Sequence, residues 1–255
     1  MTLAKAPLII SCGEPAGIGP EVAVAAWSHL KSALPLAWMG DPRHLPNGTP
    51  YQVIDTPQDA AQVVETALPV LHHPFAKPTV VGQPDPANAQ GVIDVIAACV
   101  ALVRSGKASA LCTAPIHKKA LIDGAGFAYP GHTEYLAALA GDGIQAVMML
   151  ASDQLRVVPA TIHIALQEVP DQLTPDVLRH TISTTHQALR DQFGIAEPRI
   201  AVAGLNPHAG EGGAMGFQEL DWIADLVADM ARDGMNLKGP LPADTMFHAA
   251  ARRQY

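Results

Sequence analysis

Two histidines stand in surroundings that suit a metal site. His163 lies in the apolar run 160–166, and His208 lies in the glycine-rich segment 206–213. Glycine permits positive φ angles, so the backbone of such a segment can approach a ligand closely. Imidazole is a frequent ligand in catalytic metal centres, which use about three protein ligands and leave one position open. The pair predicts part of a divalent-metal site; the alternatives are a core histidine at 163 and an incidental turn histidine at 208.

His132 and Thr133 stand in a segment, Gly131-His132-Thr133-Glu134, that predicts the start of a helix. Backbone N–H groups and the helix dipole favour an anion at such a start, which predicts a binding site for an acidic group. The alternative is a simple helix cap, in which Thr133 accepts a hydrogen bond from a backbone N–H and Glu134 favours the first turn.

Two further side chains are candidates for the general base. Lys118 ends the loop 114–118 and brings a positive charge near an edge of the predicted sheet; the alternative is a solvated lysine. Asp244, in the segment 242–245, could assist a metal or a substrate amine; the alternative is a turn before a helix.

Alternating strands and helices must position these side chains. Apolar runs predict strands at 8–12, 36–41, 110–113, 146–151, 155–164 and 199–205, and helical patterns appear at 20–30, 91–104, 132–139, 174–193 and 217–232. This order predicts an α/β fold with at least one antiparallel pairing. Ligands of α/β sheets collect at loops after the carboxyl ends of strands, and the loops at Gly13, Thr113, His163 and Asn206 are of that kind.

The composition limits the class of protein. Of the 255 residues, 49% are hydrophobic and 5% aromatic, which favours helices layered on a sheet over an aromatic-rich sandwich or barrel. A net charge of −8 argues against a nucleic-acid partner but leaves room for one phosphorylated small molecule.

Other sequence features predict a cytoplasmic protein that has no membrane partner. The three cysteines form no CxxC pair, which fits a reducing compartment. The N-terminus lacks the apolar region of a signal peptide. The most apolar stretch, 92–103, contains Asp94 and is too short to span a bilayer.

The segment Gly13-Glu14-Pro15-Ala16-Gly17-Ile18-Gly19 is not the GxGxxG dinucleotide fingerprint, because its glycines are spaced differently. It predicts a tight strand-to-helix turn, and any NAD would be held by another arrangement.

Four motifs occur along the chain: GEPAGIGPE at 13–21, GHTE at 131–134, NPHAGE at 206–211 and GPLPADT at 239–245. Together they resemble the motifs of the 4-hydroxythreonine-4-phosphate dehydrogenase family. They appear in the family's order and cover nearly the whole chain.

The resemblance implies a fold like that of isocitrate and isopropylmalate dehydrogenases, which bind NAD without the glycine fingerprint. Residues 1–255 would be one family unit of two interleaved α/β/α subdomains with a cleft between them. It further implies a homodimer whose active sites lie where the subunits meet. By position, His132 and Thr133 would bind substrate, and His163 and His208 would bind zinc, magnesium, cobalt or manganese.

The implied reaction belongs to pyridoxal phosphate (vitamin B6) biosynthesis. NAD, or NADP, takes hydride from 4-phosphooxy-L-threonine, and the resulting 3-keto acid loses carbon dioxide to give 3-amino-2-oxopropyl phosphate. A related dehydrogenase of 4-phospho-D-threonate or 4-phospho-D-erythronate is an alternative with the same motifs. An alternative of another class is a non-catalytic dimer that binds metal or phosphate.

The resemblance also implies a C-terminal segment that follows the position of Tyr255 in the family and is absent from this sequence. That segment supplies a third metal histidine, in a His-Asp-Gln context, together with much of the NAD site. His248 does not stand in such a context and is not assigned as a ligand.

Overall fold

The structure, a computed structural model, describes residues 6–255. The chain forms two compact units that divide between Ala146 and Val147. The first unit contains His132, and the second contains His163 and His208.

A five-stranded parallel sheet forms the centre of the first unit. Its strands are β1 (Leu8–Ser11), β2 (Leu36–Gly40), β3 (Tyr51–Val53), β4 (Leu68–His72) and β5 (Ala110–Thr113). They lie in the order β3-β4-β2-β1-β5, with Ile10 of β1 opposite Trp38 of β2 and Cys112 of β5. Continuous apolar runs such as β1 and β2 fit a parallel sheet that is covered on both faces. The predicted α/β fold is confirmed.

Five helices accompany this sheet: α1 (Gly19–Leu30), α2 (Ala60–Val63), α3 (Ala89–Arg104), α4 (Lys118–Ala125) and α5 (His132–Ala140). The side chains of Val92, Val95 and Ile96 on α3 are buried in the core of the unit. Among residues 6–255, one helical segment, Pro86–Arg104, is long and apolar enough to cross a membrane. The apolar stretch 92–103 lies within this segment, and the helix predicted at 91–104 begins two residues earlier, at Ala89. Its buried face makes it a core helix of the first unit.

The sheet changes its winding direction at β1. β2 lies on one side of β1 and β5 on the other, so the loops after β1 and β5 border the topological switch point, where open α/β sheets bind ligands. Gly13 has φ +66°, and a Cβ on it would lie 2.5 Å from the carbonyl oxygen of Pro115. The Glu14 N–H donates to that same oxygen over 2.8 Å. The predicted tight turn after β1 is confirmed, and it packs against the loop after β5.

The second unit contains two small sheets. β6 (Leu150–Ala151) and β7 (Arg156–Val157) are antiparallel, whereas β8 (Arg199–Ala203) and β9 (Asn236–Leu241) are parallel. The helices are α6 (Val169–Gln172), α7 (Pro175–Asp191), α8 (Ala224–Arg232), α9 (Ala243–Met246) and α10 (Ala249–Arg252), and a π-helical turn, Glu219–Ile223, leads into α8. The core joins α7, β8 and α8, and its buried side chains are Leu178, Ile182, Val202, Ile223, Leu226, Val227 and Met230.

Local sequence signals account for some of these elements. Thr174 is the N-cap of α7, and its hydroxyl accepts a hydrogen bond from the Val177 N–H over 3.3 Å. The strands predicted at 8–12, 36–41, 110–113 and 199–205 are also confirmed, each to within two residues.

The strands predicted at 146–151 and 155–164 are wrong over most of their length. Only the two-residue strands β6 and β7 form, on either side of a turn in which the Ser152 N–H donates to the Leu155 carbonyl over 2.9 Å. Pro159 has no N–H to give to a strand ladder, so the apolar run after β7 leaves the sheet. His163 consequently does not lie at the end of a strand.

Candidate functional site

The loop after β8 holds His208 in a left-handed backbone conformation. Residues 208–212 have φ angles of 53°, 54°, 81°, 45° and 66°. Glycine accepts such angles freely, whereas His208, Ala209 and Glu211 each carry a cost of about 1–2 kcal/mol. Strain of this kind persists where the surrounding structure holds the backbone, and it is concentrated at functional sites.

Glu219, at the start of the π-helical turn, holds this loop at its base. Its buried carboxylate accepts the Asn206 N–H at Oε1 over 2.7 Å and the Asn206 Nδ2 at Oε2 over 2.8 Å. Burial alone would raise the pKa of Glu219, but the hydrogen bonds from Asn206 bring it below its usual value, so the carboxylate is charged at neutral pH. Glu219 was not predicted from the sequence, because a glutamate near the start of a helix is ordinarily solvent-exposed.

Glycines allow the carboxylate to approach the loop so closely. A Cβ on Gly204 would lie 3.1 Å from Glu219 Oε1, and a Cβ on Gly210 would lie 3.0 Å from Oε2. A Cβ on Gly216 would overlap the side-chain amide of Asn206. These glycines therefore serve the packing around Glu219 as well as the turn itself.

His208 is paired with Asp244, the other candidate of the second unit. His208 Nδ1 lies 3.0 Å from Asp244 Oδ2, and both side chains are about half exposed. The loops after the parallel neighbours β8 and β9 bring them together, because the carboxyl ends of parallel strands meet at one edge. An imidazole that donates its Nδ1–H to a carboxylate keeps a lone pair on Nε2 for a ligand.

His163 lies in an irregular segment between β7 and α6. It is exposed and has φ +60°, so the alternative of a core histidine is wrong. Positive φ in a non-glycine residue is uncommon, and His163 shares this property with His208.

The donor chemistry of these residues fits part of a metal's ligand set. His208 offers an imidazole that is oriented by a carboxylate, and His163 offers a second, exposed imidazole. Within residues 6–255, however, no group of three or more His, Cys, Asp or Glu side chains is close enough to hold a metal ion. Catalytic metals generally need about three protein ligands, so these residues do not complete a site by themselves.

In the first unit, His132 and Thr133 open α5. The N-cap of this helix is Gly131, and no side-chain cap forms, so the alternative that Thr133 caps the helix is wrong. His132 Nε2 is buried and has no hydrogen-bond partner among residues 6–255. Burial lowers the pKa of His132, so its imidazole is neutral at neutral pH.

Aromatic packing fixes the start of α5. Tyr135 is buried, and its ring centroid lies 5.3 Å from that of Phe127 and 5.0 Å from that of Tyr129. The Tyr135 hydroxyl donates to the Ile93 carbonyl of α3 over 3.3 Å. The position of His132 is thereby tied to the core of the unit.

The loops at the switch point contribute Lys118 and Glu14. Lys118 is the exposed first residue of α4, and it makes no ion pair within residues 6–255. Glu14 is buried, accepts the Ala16 N–H over 3.0 Å, and has a pKa raised by its burial. The segment around Glu14 was predicted only as a turn, because the burial of this glutamate arises from tertiary contacts.

Comparison with known proteins gives consistent matches along the chain. Residues 22–255 match the family model "Pyridoxal phosphate biosynthetic protein PdxA". The whole chain is 69% identical to a 4-hydroxythreonine-4-phosphate dehydrogenase of Roseobacter denitrificans and covers 78% of that protein. A 4-hydroxythreonine-4-phosphate dehydrogenase of Ruegeria is 63% identical, with the same coverage of both chains.

The chain belongs to the PdxA family.

Solved structures agree with PdxA membership. The crystal structure of 4-hydroxythreonine-4-phosphate dehydrogenase from Klebsiella pneumoniae matches with a TM-score of 0.87 and 32% identity, covering 98% of this chain and 79% of that one. A terephthalate 1,2-cis-dihydrodiol dehydrogenase from Burkholderia xenovorans matches with a TM-score of 0.68 and 27% identity, covering 94% of this chain and 74% of that one. The sequence resemblance is thereby confirmed, and this PdxA protein is an oxidoreductase of pyridoxal phosphate biosynthesis.

Proposed function

We propose that the protein oxidises 4-phosphooxy-L-threonine with NAD, or NADP, as hydride acceptor. The secondary alcohol gives up its proton to a base and its C–H hydride to the nicotinamide. The resulting 3-keto acid then loses carbon dioxide and yields 3-amino-2-oxopropyl phosphate. The observation that carries the proposal is the 69% identity, over the whole chain, with a relative named 4-hydroxythreonine-4-phosphate dehydrogenase.

His132 and Thr133 bind the substrate in this proposal. They stand at the start of α5, where backbone N–H groups and the helix dipole favour an acidic group. Burial lowers the pKa of His132, so the neutral imidazole can act at Nε2 either as donor or as acceptor, according to its tautomer.

His163 and His208 would hold a divalent metal, namely zinc, magnesium, cobalt or manganese. When bound, such a metal supplies Lewis-acid polarisation of the substrate oxygen. Asp244 is engaged with Nδ1 of His208, which favours an orienting role over that of general base. Lys118 is exposed at the switch point and stays the candidate for the base.

The wider arrangement follows the family resemblance. We propose an isocitrate dehydrogenase-like fold in which two α/β/α subdomains enclose a cleft, and a cytoplasmic homodimer with active sites where the subunits meet. The switch point between β1 and β5 supports nucleotide binding in the first unit, because open α/β sheets bind ligands there.

The substrate is tested by following NADH formation with the full-length protein and added metal. We expect faster turnover of 4-phosphooxy-L-threonine than of 4-phospho-D-threonate or 4-phospho-D-erythronate. Faster turnover of either sugar acid would overturn the proposed substrate. Metal binding without NADH formation on any of the three would favour the non-catalytic dimer.

The ligand assignment is tested by His208→Ala. Loss of one imidazole should remove bound metal while the exposed position of this residue leaves the fold intact. Metal content by atomic spectroscopy and the circular dichroism spectrum give the two readouts. A variant that keeps the wild-type metal content would show that His208 is not a ligand.

A further inference from the structure

We propose that Glu219 is a positioning residue for His208: its carboxylate holds Asn206, and through Asn206 the left-handed loop that presents the imidazole. The inference deepens the proposed function, since it rests on His208 as a metal ligand. Its structural half, the holding of the loop, can be measured without metal.

The contacts of Glu219 concentrate on one residue of the loop. Both carboxylate oxygens bond to Asn206, one to its backbone N–H at 2.7 Å and the other to its side-chain nitrogen at 2.8 Å. The neighbouring Gln218 Oε1 accepts the same Asn206 side-chain nitrogen over 2.7 Å. Asn206 is therefore held from three directions, two residues before His208.

The loop needs such a support. Its non-glycine residues at positive φ have a cost of about 1–2 kcal/mol each, so a right-handed backbone would be favoured if nothing opposed it. The hydrogen bonds inside the loop are longer than those to Glu219: the Ala214 N–H donates to the Glu211 carbonyl over 3.3 Å, and the Met215 N–H donates to the Gly210 carbonyl over 3.1 Å. The shorter bonds to Glu219 lie at the point where the loop leaves β8.

The π-helical turn that precedes α8 determines where Glu219 lies. The π-helical turn begins at Glu219, and such turns frequently occur at functional sites. Its side chain is 2% exposed and close enough to Gly204 and Gly210 that a larger residue at either position would press on the carboxylate. A buried charge is costly unless hydrogen bonds satisfy it, and here the satisfying partner is the loop itself.

A positioning role and a purely structural role predict different metal affinities for the folded protein. If Glu219 only stabilised the second unit, its loss would lower the melting temperature and leave the metal affinity of the folded protein unchanged. If it positions His208, the affinity itself falls, as it does when residues that orient metal ligands are removed.

The experiment compares Glu219→Ala with Leu178→Ala in the full-length protein. Leu178 is buried on α7 in the core of the same unit, and its truncation destabilises without touching the loop. Zinc affinity is measured by competition with a chromophoric chelator below the melting temperature of each variant. Hydrogen exchange of residues 204–216 is measured on the metal-free proteins.

We expect Glu219→Ala to weaken zinc binding by about 10–100-fold and to speed exchange at 204–216. Leu178→Ala should stay within about twofold of the wild-type affinity at a comparable melting temperature, because it leaves the ligands in place. Glu219→Gln keeps an oxygen for the Asn206 N–H, and rotation of both the Asn206 and the Gln218 amides can restore the side-chain bonds, so it should recover most of the affinity. Equal zinc affinities for Glu219→Ala and the wild type would overturn the inference, as would an equal loss in Leu178→Ala.

Asn206→Ala covers the case in which Glu219→Ala does not fold. It removes the partly buried side chain that Glu219 holds and keeps the backbone bond, so we expect the same weakening of zinc binding and faster exchange of the loop. Unchanged affinity and exchange in Asn206→Ala would overturn the proposal that Glu219 holds the loop through the Asn206 side chain. If instead His208→Ala retains zinc, the ligand proposal fails while the exchange data still decide whether Glu219 holds the loop.

Discussion

At the scale of single residues, His208 and Asp244 belong to two of the motifs that resemble the family, and their side chains are in contact. Both residues were candidates from the sequence, one as a ligand and the other as a base or metal partner. The structure brings their side chains to 3.0 Å and so gives the carboxylate a role through the imidazole. The contact could not be predicted from spacing alone, because it depends on β8 and β9 being parallel neighbours.

Asp244→Ala should weaken metal binding by about 10–100-fold, because the imidazole of His208 loses the partner that fixes its tautomer and orientation. Asp244→Asn keeps an acceptor oxygen and should lose less. A chelator-competition titration measures both, with Asp225→Asn on the exposed face of α8 as the control. Wild-type affinity in Asp244→Ala, alongside metal loss in His208→Ala, would mean that the Nδ1 contact is irrelevant to binding.

A buried carboxylate in the first unit should make folding depend on pH. The Asp41 side chain accepts hydrogen bonds from Arg43 and from the Phe75 N–H, the latter over 3.0 Å. Burial alone would raise the pKa of Asp41, but these bonds hold it well below its usual range. The resulting stabilisation is present above the ordinary carboxyl pKa of about 4 and is lost as pH falls below it.

Asp41→Asn should therefore lower the free energy of unfolding by about 1–3 kcal/mol at neutral pH and by less in acid. Urea unfolding at about pH 7, where the stabilisation is fully present, and at about pH 3, below the ordinary carboxyl pKa, measures the difference. The control is Asp123→Asn, which removes an exposed pair with Lys119 and should have little effect. An Asp41→Asn loss that is the same at both pH values would contradict the ionised, hydrogen-bonded carboxylate.

At the scale of elements, the sequence predicts a strand best where the apolar pattern is not interrupted by a proline. β5 was predicted at its observed bounds because its apolar run is short and ends in Thr113. β4 was not predicted. It contains Pro69, which has no N–H to give to a strand ladder, yet it pairs with both β3 and β2. The strand predicted at 155–164 is too long. Its residues are mostly apolar, but Pro159 interrupts the run, and only Arg156–Val157 forms a strand.

The functional residues, too, could be predicted only where the local sequence carries a signal. The family resemblance and the glycine pattern pointed to His208, whose loop indeed takes positive φ throughout residues 208–212. Nothing local distinguishes Glu219 or Glu14 from surface glutamates, since their burial arises from tertiary contacts. The π-helical turn that places Glu219 also has no sequence signal in a single chain.

Gly13→Ala tests how the loops at the switch point depend on each other. The added Cβ would meet the Pro115 carbonyl oxygen at 2.5 Å, at a residue whose φ is +66°. Gly48→Ala is the matched control, because Gly48 has φ +81° but nothing within 4 Å of the added Cβ. We expect Gly48→Ala to cost about 1 kcal/mol from backbone strain alone and Gly13→Ala to cost clearly more. Equal losses in urea unfolding would show that the two loops do not constrain one another.

At the scale of the whole molecule, the two units contribute different parts of the proposed chemistry. The first carries the switch point and the start of α5, and the second carries His163, His208 and Asp244. The described residues of the second unit supply fewer than three clustered metal donors, so the proposed site needs ligands beyond them. In the proposed homodimer, where active sites lie between subunits, a second subunit could supply such ligands.

Specific activity should therefore follow the dimer. If each active site is assembled where two subunits meet, dilution of the full-length protein until half of the chains are monomers should leave about half of the specific activity. Sedimentation velocity gives the monomer fraction, and NADH formation at the same protein concentrations gives the activity. Metal and substrate must be kept in excess so that dilution changes only the association of subunits. A monomer as active as the dimer would exclude a shared site, because each chain would then carry every residue that the reaction requires.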